Sequence, residues 1–475
     1  VLSAVIDLLA GIPSVVYGFF GIAFLLPLLS RIAPNNGSGP AAVSLILGIM
    51  VLPTVVSLSR VALEAVPHSL YEGSVALGAT HTETVFRVIS PAAGSGIRAS
   101  FVLAVGRAMG ETMAVVMVAG NAAVFPRGLF SSFRVLTANI VMEMGYAGEV
   151  QEGALIATGA VLLLLILAVN LVFGLTSGRI VRHATEKNVS RRGGMTLLPP
   201  KLLRGFAVAS GALTGGVLAL LIGFVLVRGV PVLVRNPSVL YGRFEFGSSD
   251  ITVLPALIST LWAVVLSLAF AVPVGIMTAI WLHEYAPRNG LATRVIRGAI
   301  DLLAGVPSIV YGLFGMIAFV PLFGGSGSIL AGSLTVSLML LPVVVRSIEE
   351  SLRAVPDALR EGSFALGAGK LRTVFRIVLP SALPGILSAV ILSMGRVIGE
   401  SAPLLYTMGS VIKSVPHGIF DSGATLAVAL WQLSGEGWYI NEAYATAVIL
   451  VVLVLLLNFI ARLCAARLGK RMKGV

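Results

Sequence analysis

The segment at residues 361–380, EGSFALGAGKLRTVFRIVLP, is a charged interruption between long apolar runs, and residues 72–91, EGSVALGATHTETVFRVISP, nearly repeat it. In each copy a Glu precedes a Gly by six positions, and a Pro follows that Gly by thirteen positions. Pro356 can open a helix, and Gly367 interrupts it. The spacing after Gly367 predicts a second short helix whose apolar side carries Leu371, Val374, Phe375 and Val378.

Two short helices that are apolar on one side and charged on the other suit two roles. Such a segment can dock in a groove of a partner protein. It can also lie on the surface of a lipid bilayer. The residues alone favour neither role.

The composition predicts the class of protein that these segments interrupt. Of the 475 residues, 57% are hydrophobic and 11% are charged, whereas a soluble protein has about 25% charged residues. We therefore predict an all-α polytopic membrane protein. The net charge of +12 lies in short segments without interleaved aromatic residues, which argues against a nucleic-acid partner. Cys464 is the single cysteine and the five histidines are scattered, so the sequence indicates no disulfide, metal site or cofactor.

Apolar stretches long enough to cross a bilayer divide the chain into two halves. The first half has four, at residues 5–29, 41–58, 96–120 and 152–174. The second half has six, at residues 205–228, 253–282, 299–322, 330–346, 382–410 and 443–462. The predicted organisation is a first half at 1–174, a basic linker at 175–204 and a second half at 205–475.

The distribution of basic residues predicts the orientation in the membrane. Arg and Lys are frequent in the linker, in both charged segments and in the C-terminal tail. They are rare in three other connections, at residues 229–252, 323–329 and 412–441. Because basic loops remain in the cytoplasm, both charged segments are predicted to be cytoplasmic. The linker could also bind anionic membrane lipid.

An internal repeat relates the two halves. IDLLAGIPSVVYGFFG at residues 6–21 returns as IDLLAGVPSIVYGLFG at residues 300–315, and GRAMGET at 106–112 returns as GRVIGES at 395–401. The start of the chain thus corresponds to the third predicted span of the second half, and the first half has no counterpart of the two spans before it. We expect the genomic DNA upstream of Val1 to encode about two further apolar spans in frame; the alternative is a compact half with four spans.

Four ionisable residues fall inside predicted spans, namely Arg107, Glu111, Arg396 and Glu400. A charge in hydrocarbon costs at least about 2.5 kcal/mol, and Arg396 lies twelve residues after Pro384, roughly 18 Å along a helix and near mid-membrane. Since Arg and Glu four positions apart share a helix face, each pair can be a structural salt bridge. Alternatively, the two copies face each other across a pseudo-two-fold axis, and their guanidinium groups bind an oxyanion.

The repeated charged segments resemble the cytoplasmic EAA loop of ABC importer permeases, roughly E-A-A-x3-G-x9-I-x-L-P. The first copy matches it at Glu72, Gly78 and Pro91, with Val88 in place of Ile and Ser90 in place of Leu. The second copy matches at Glu361, Gly367, Ile377, Leu379 and Pro380. The resemblance implies that both loops bind an ATPase, so it favours docking over lipid binding.

A narrower resemblance rests on IDLLAGIPSVVYG, on EGS in place of EAA, and on the GR-x2-GE pair. These motifs resemble the phosphate-specific (Pst) ABC importer permeases, with both permease subunits fused in one chain and the front of the first half missing. The likeness covers essentially the whole chain apart from that front and the linker. It implies an ABC importer type I permease fold with four plus six transmembrane helices, in the cytoplasmic membrane of a bacterium or archaeon.

The same resemblance implies partners and site residues. A dimer of ATPase subunits would dock on the loops at residues 72–91 and 361–380, and an extracytoplasmic phosphate-binding protein would dock on residues 121–150 and 412–441. Inorganic phosphate would pass Arg107, Glu111 and Arg396, with Glu400 added by the symmetry of the repeat. ATP hydrolysis belongs to the separate subunits, because the segment around GAGK at 367–370 has Phe364 where a phosphate-binding loop requires Gly, and Leu371 where it requires Ser or Thr.

Three alternatives remain open from the sequence. The first is an ABC permease for another oxyanion, such as sulfate, molybdate or phosphonate. The second is an ion-coupled secondary transporter, although both halves run in the same sense and inverted repeats would favour that class. The third is a membrane sensor for phosphate signalling, which is compatible with transport.

Overall fold

The computed structural model describes residues 11–33, 35–187, 200–242, 252–287, 290–412, 414–435 and 439–473. These residues form helices and connecting turns, and within them the sole extended pairing is an isolated bridge between Gly120 and Phe133. The all-α architecture expected from the composition is confirmed.

The first half is a succession of helices of unequal length. In order they are α1 (Ser14–Leu29), α2 (Pro40–Glu64), α3 (His68–Ala76), α4 (His81–Ala92), α5 (Gly94–Gly110), α6 (Met113–Val118), α7 (Leu136–Glu143) and α8 (Glu149–Lys187). The basic linker begins inside α8, and residues 188–199 of that linker lie outside the described part of the chain.

The second half repeats this succession after additional helices at its start. The additional ones are α9 (Pro200–Arg235), α10 (Leu254–Tyr285) and α11 (Leu291–Ala304), with a single helical turn at Ser238–Tyr241 between α9 and α10. The repeated ones are α12 (Ser308–Ala318), α13 (Ile329–Arg353), α14 (Asp357–Ala365), α15 (Lys370–Gly399), α16 (Ala402–Thr407), α17 (Leu426–Gly435) and α18 (Ile440–Lys473). By the sequence repeat, α1 corresponds to α12, and α4 with α5 corresponds to α15.

Membrane-crossing helices can be identified by length and composition among the described residues. Seven qualify, in α2, α8, α9, α10, α13, α15 and α18, and the number rises to nine if each bent pair counts as one span. The bent pairs are α4–α5, at 66°, and α11–α12, at 108°. The apolar helix α1 is shorter and is the described part of the span expected at residues 5–29.

The two halves pack against each other through contacts that include aromatic pairs and a hydrogen bond from Tyr406. Phe24 of α1 lies 5.2 Å from Phe224 of α9, and Phe19 of α1 lies 4.9 Å from Tyr444 of α18, measured between ring centroids in edge-to-face pairs. The Tyr406 hydroxyl donates to the carbonyl oxygen of Val141 at 2.8 Å. Each half therefore contributes to the core of the other.

The segment expected outside the membrane at residues 412–441 is partly a buried helix. Leu426, Val428 and Leu430 of α17 are fully buried. This helix has ten residues, which is too short to span a bilayer. It packs inside the bundle, and the exposed part of the segment lies around Phe420, which is 61% exposed.

Candidate functional site

Glu111 and Glu400 stand at breaks in the helices that carry Arg107 and Arg396. Helix α5 ends one residue before Glu111, whose backbone is extended at φ −71° and ψ 131°. Helix α15 ends one residue before Glu400, whose φ is −80° and ψ is 134°. The helix face predicted from the four-residue spacing therefore ends one residue before each carboxylate. The ion pair expected within the second half still forms, between Arg396 and Glu400, whereas the described residues show none between Arg107 and Glu111.

Each break packs against the opposite half of the chain. A Cβ atom added at Gly110 would lie 3.7 Å from Cα of Pro307, and one added at Gly399 would lie 3.2 Å from Cα of Pro13. These prolines directly precede α12 and α1. Glycine permits this close approach of two backbones. The contacts are reciprocal, so the repeat motif of one half meets the GR-x2-GE motif of the other.

The reciprocal packing gathers charges from both halves. The Arg396 Nε atom lies 3.5 Å from Glu400 Oε1. Glu400 also interacts electrostatically with Glu111 and Arg107 of the first half. Both arginines are exposed, whereas the side chain of Glu400 is 18% exposed. Each guanidinium group thus presents exposed donors for which a carboxylate and an oxyanion can compete.

The two arginines have different neighbours on their own sides. Arg107 donates from Nη1 to the hydroxyl oxygen of Thr54 on α2, at 2.7 Å. The matching position on α13 is Val343, which has no hydroxyl. Sequence reasoning missed Thr54, although the difference between LPTVV at 52–56 and LPVVV at 341–345 was the available signal.

A buried tyrosine lies near each arginine. Tyr17 of α1 lies within electrostatic range of Arg107, and Tyr311 of α12 lies within that of Arg396. Tyr17 is 1% exposed and Tyr311 is 4% exposed. The Tyr311 hydroxyl donates to the carbonyl oxygen of Leu303 at 2.8 Å.

The two charged loops have the same backbone. In the first loop α3 is separated from α4 by Gly78, with φ +89°, and in the second α14 is separated from α15 by Gly367, with φ +80°. Such angles strain any residue with a Cβ atom, so the glycine of the motif is required by the turn. Glu72, Glu361, Pro91 and Pro380 are exposed.

The Ser of each EGS sequence joins the two helices of its loop. Ser74 Oγ lies 3.0 Å from Thr84 Oγ1, and Ser363 Oγ lies 2.8 Å from Thr373 Oγ1. Thr84 and Thr373 are buried. An Ala at the same position could not form this bond, which gives the EGS variant a structural consequence.

The exposed surface of each loop is apolar at matching positions. Leu77 is 91% exposed and Leu366 is 90% exposed, each directly before the glycine of its turn. The predicted apolar side of the second helix is wrong in part. Val374 and Val378 are buried, whereas Leu371 and Phe375 are exposed. The stretch Val374–Val378 is π-helical, so its wider turn rotates Val378 away from Phe375.

The second loop is fixed to the membrane domain by a buried ion pair. Arg360 Nη2 lies 3.0 Å from Glu284 Oε1 of α10, and their side chains are 11% and 9% exposed. Arg360 also donates to the carbonyl oxygens of Leu352 and Val355 at the end of α13. In the first loop Tyr71 occupies the matching position. The loops therefore share a backbone but differ in their attachment.

Two homologous helical halves, with paired surface loops and reciprocally packed charged breaks, define a polytopic membrane permease. Residues 1–182 and 271–474 match the family described as "Binding-protein-dependent transport system inner membrane component", and the chain belongs to this family. It is an ABC importer permease, and the expected fold class is confirmed.

Relatives of known name resemble the chain over both halves or over one. A "Phosphate transport system permease protein PstA homolog" of Mycoplasma pneumoniae is 29% identical, covering 96% of this chain and 79% of the relative. The "Phosphate transport system permease protein PstA" of Mycobacterium leprae is 43% identical over 43% of this chain and 67% of the relative. The "Phosphate transport system permease protein PstC 2" of Mycobacterium bovis is 30% identical over 59% of this chain and 94% of the relative.

Proposed function

We propose that this chain is the transmembrane permease of an ATP-driven phosphate importer. The observation that carries the proposal is that the breaks at Glu111 and Glu400 each pack against the opposite half. Glu400 there interacts electrostatically with Arg107, Glu111 and Arg396. The names of the relatives supply the substrate. The path for phosphate runs between the halves, past these four residues.

The chemistry of the cluster suits a tetrahedral oxyanion. A guanidinium group presents planar donors that can bind two oxygens at once. Phosphate that enters the cluster competes with Glu400 for Arg396, and the carboxylate can recover the guanidinium when phosphate leaves. A translocation path must bind its substrate strongly enough for it to enter and weakly enough for it to leave.

A single helix joins the second loop to the second charged break. Helix α15 begins at Lys370 and ends at Gly399, a length of roughly 45 Å at 1.5 Å per residue. Movement of the loop therefore displaces Glu400 directly. In the first half the same connection bends by 66° between α4 and α5. We infer that ATP-driven movement reaches the charged breaks through these helices.

An ATPase dimer is the proposed partner of the two loops, on the cytoplasmic side of a bacterial or archaeal cytoplasmic membrane. The exposed Leu77 and Leu366 would enter grooves of the ATPase subunits, in the helix-in-groove mode. The Leu77→Asp, Leu366→Asp double variant is expected to abolish co-purification of the ATPase with the detergent-solubilised chain. Leu322→Asp, at a residue 71% exposed in another loop, is the control and should retain the ATPase. Equal retention by both variants would contradict the proposed contact.

An extracytoplasmic phosphate-binding protein is the second proposed partner. Exposed apolar side chains occur within the segments expected to receive it, since Phe125 is 95% exposed and Phe420 is 61% exposed. Partly exposed aromatic residues are common anchors of protein interfaces.

Uptake of labelled phosphate tests the function. Cells that lack their own high-affinity phosphate importer would express this chain with the ATPase and binding protein from the same genome. Uptake that requires the ATPase and persists in excess sulfate is the expected result. Uptake abolished by sulfate would indicate another oxyanion, and uptake without the ATPase would indicate an ion-coupled transporter; either would overturn the proposal.

A further inference from the structure

The arginines of the two halves are held by chemically different partners. Arg107 Nη1 donates to Thr54 Oγ1 at 2.7 Å, whereas Arg396 Nε lies 3.5 Å from the carboxylate of Glu400. Val343 replaces Thr54 at the matching position of the second half. An anion that binds the two arginines therefore competes with a different partner at each one.

A hydroxyl fixes a guanidinium group without neutralising its charge. A carboxylate both fixes it and cancels the charge. Within the described residues Arg107 takes part in no ion pair, and the side chain of Glu111 accepts a long backbone hydrogen bond from Ala114, at 3.5 Å. Arg107 thus has a defined orientation without a directly paired carboxylate, whereas Arg396 contacts the carboxylate of Glu400. Glu400 also acts electrostatically on Arg107, but less than on Arg396.

We propose that Thr54 is a positioning residue that makes Arg107 the stronger oxyanion ligand of the path, and that Arg396 is the weaker, exchangeable one. This inference rests on the proposed function of the chain. Thr54 occupies one N–H of the guanidinium group. The other donors of that group remain for the oxyanion.

The orientation effect follows from where the two residues lie. Thr54 is on α2 and Arg107 is on α5, and these helices pack against each other. The hydrogen bond therefore ties an exposed, flexible side chain to a neighbouring helix. Ordering of a long side chain before binding lowers the entropy cost of binding. Loss of the Thr54 hydroxyl is expected to leave the charge of Arg107 unchanged but to leave its guanidinium group without a fixed orientation.

The test compares initial rates of labelled phosphate uptake by the complex with its ATPase and binding protein. Thr54→Val is expected to lower the rate by about three- to tenfold, with the amount of protein in the membrane and its thermal unfolding temperature unchanged. Thr54→Ser, which keeps the hydroxyl, should retain the parental rate. Val343→Ala is the matched control in the second half and should do the same.

A second arm asks whether Thr54 acts through Arg107. In an Arg107→Ala background, Thr54→Val should cause no further loss, because residues that act as one unit are not additive. If Arg107→Ala alone reduces uptake to background, the inference is tested by the uptake rates of Thr54→Val and Thr54→Ser in the parental background. A loss with Val that is absent with Ser supports it, and equal rates overturn it.

The outcomes separate this inference from the proposed function. A parent chain that takes up no phosphate overturns the proposed function and the inference together. A parent that takes up phosphate while Thr54→Val is unaffected overturns the inference alone. A Thr54→Val loss that parallels a fall in protein amount or unfolding temperature also overturns it, because Thr54 would then serve the packing of α2 on α5.

Discussion

Gly399 of the second half packs against Pro13 of the first half, and the reciprocal pair is Gly110 with Pro307. A Cβ atom on Gly399 would lie 3.2 Å from Cα of Pro13, whereas one on Gly110 would lie 3.7 Å from Cα of Pro307. Both contacts lie one residue before the glutamates of the charged breaks. The geometry of the cluster therefore depends on packing between halves, not on either half alone.

The two glycines are expected to differ in tolerance to alanine. Gly399→Ala brings a methyl group to 3.2 Å from Cα of Pro13, so the neighbouring backbone must shift by a few tenths of an ångström. About 1–3 kcal/mol of strain is expected. Gly110→Ala makes an ordinary contact and is the matched control. Thermal unfolding in detergent should show a lower transition temperature for Gly399→Ala only. Equal transition temperatures for the two variants would show that the halves do not pack as described.

The carboxylate of Glu400 is expected to moderate Arg396. Glu400→Gln removes the negative charge beside the guanidinium group, so Arg396 would hold phosphate longer and uptake should slow by several-fold. Arg396→Ala combined with Glu400→Gln should then be no slower than Arg396→Ala alone. Losses that multiply in the double variant would mean that the two residues act independently. Glu64→Gln, which affects an exposed carboxylate paired with Arg60, is the control for insertion.

The hydroxyl of Ser363 is expected to matter for transmission through the second loop. Ser363→Ala removes the bond to Thr373, a bond of about 1 kcal/mol, and loosens α14 from α15. Phosphate-dependent ATP turnover of the reconstituted complex should fall by about two- to fivefold. Ser381→Ala, whose hydroxyl donates within its own helix to Ile377, should leave turnover unchanged. Equal turnover in both variants would show that the Ser363 hydroxyl has no role in coupling.

The buried Arg360–Glu284 pair is expected to hold the second loop in place. Glu284→Gln removes the buried carboxylate partner of Arg360 and leaves the exposed Asp357, at 3.0 Å, so the expected cost is below the about 3–5 kcal/mol of a fully broken buried pair. Limited proteolysis of inverted membrane vesicles should cut near residues 357–376 faster in this variant. Arg353→Ala, at a side chain 69% exposed, is the control. Unchanged cleavage of Glu284→Gln would show that the ion pair does not fix the loop.

Much of the fold could be predicted from residues that repeat. The glycines of the two loops are required by backbone angles that few other residues adopt. Gly78 and Gly367 therefore predict the turn in each loop from the sequence alone. The apolar stretches predict the long helices because a bilayer requires about 20 apolar residues in a row. Short helices such as α17 were missed because burial by neighbouring helices, not length, accounts for their apolar character.

The sequence predicts which residues form the candidate site but not how they are arranged. Arg107, Glu111, Arg396 and Glu400 stand out because charges in apolar spans are rare. Their arrangement depends on helix breaks and on contacts between halves, which no local pattern encodes. Thr54 lies 53 positions from Arg107 in sequence, so only the packing of α2 on α5 relates them.

The most direct test of the account is phosphate uptake by the Arg107→Ala, Arg396→Ala double variant in the complete complex. Arg346→Ala, which removes the partner of Asp301 outside the charged breaks, is the control, and both variants must reach the membrane in parental amounts and retain the ATPase. The account predicts uptake at background for the double variant and near the parental rate for the control. Parental uptake by the double variant would contradict it, because phosphate would then cross without the two arginines.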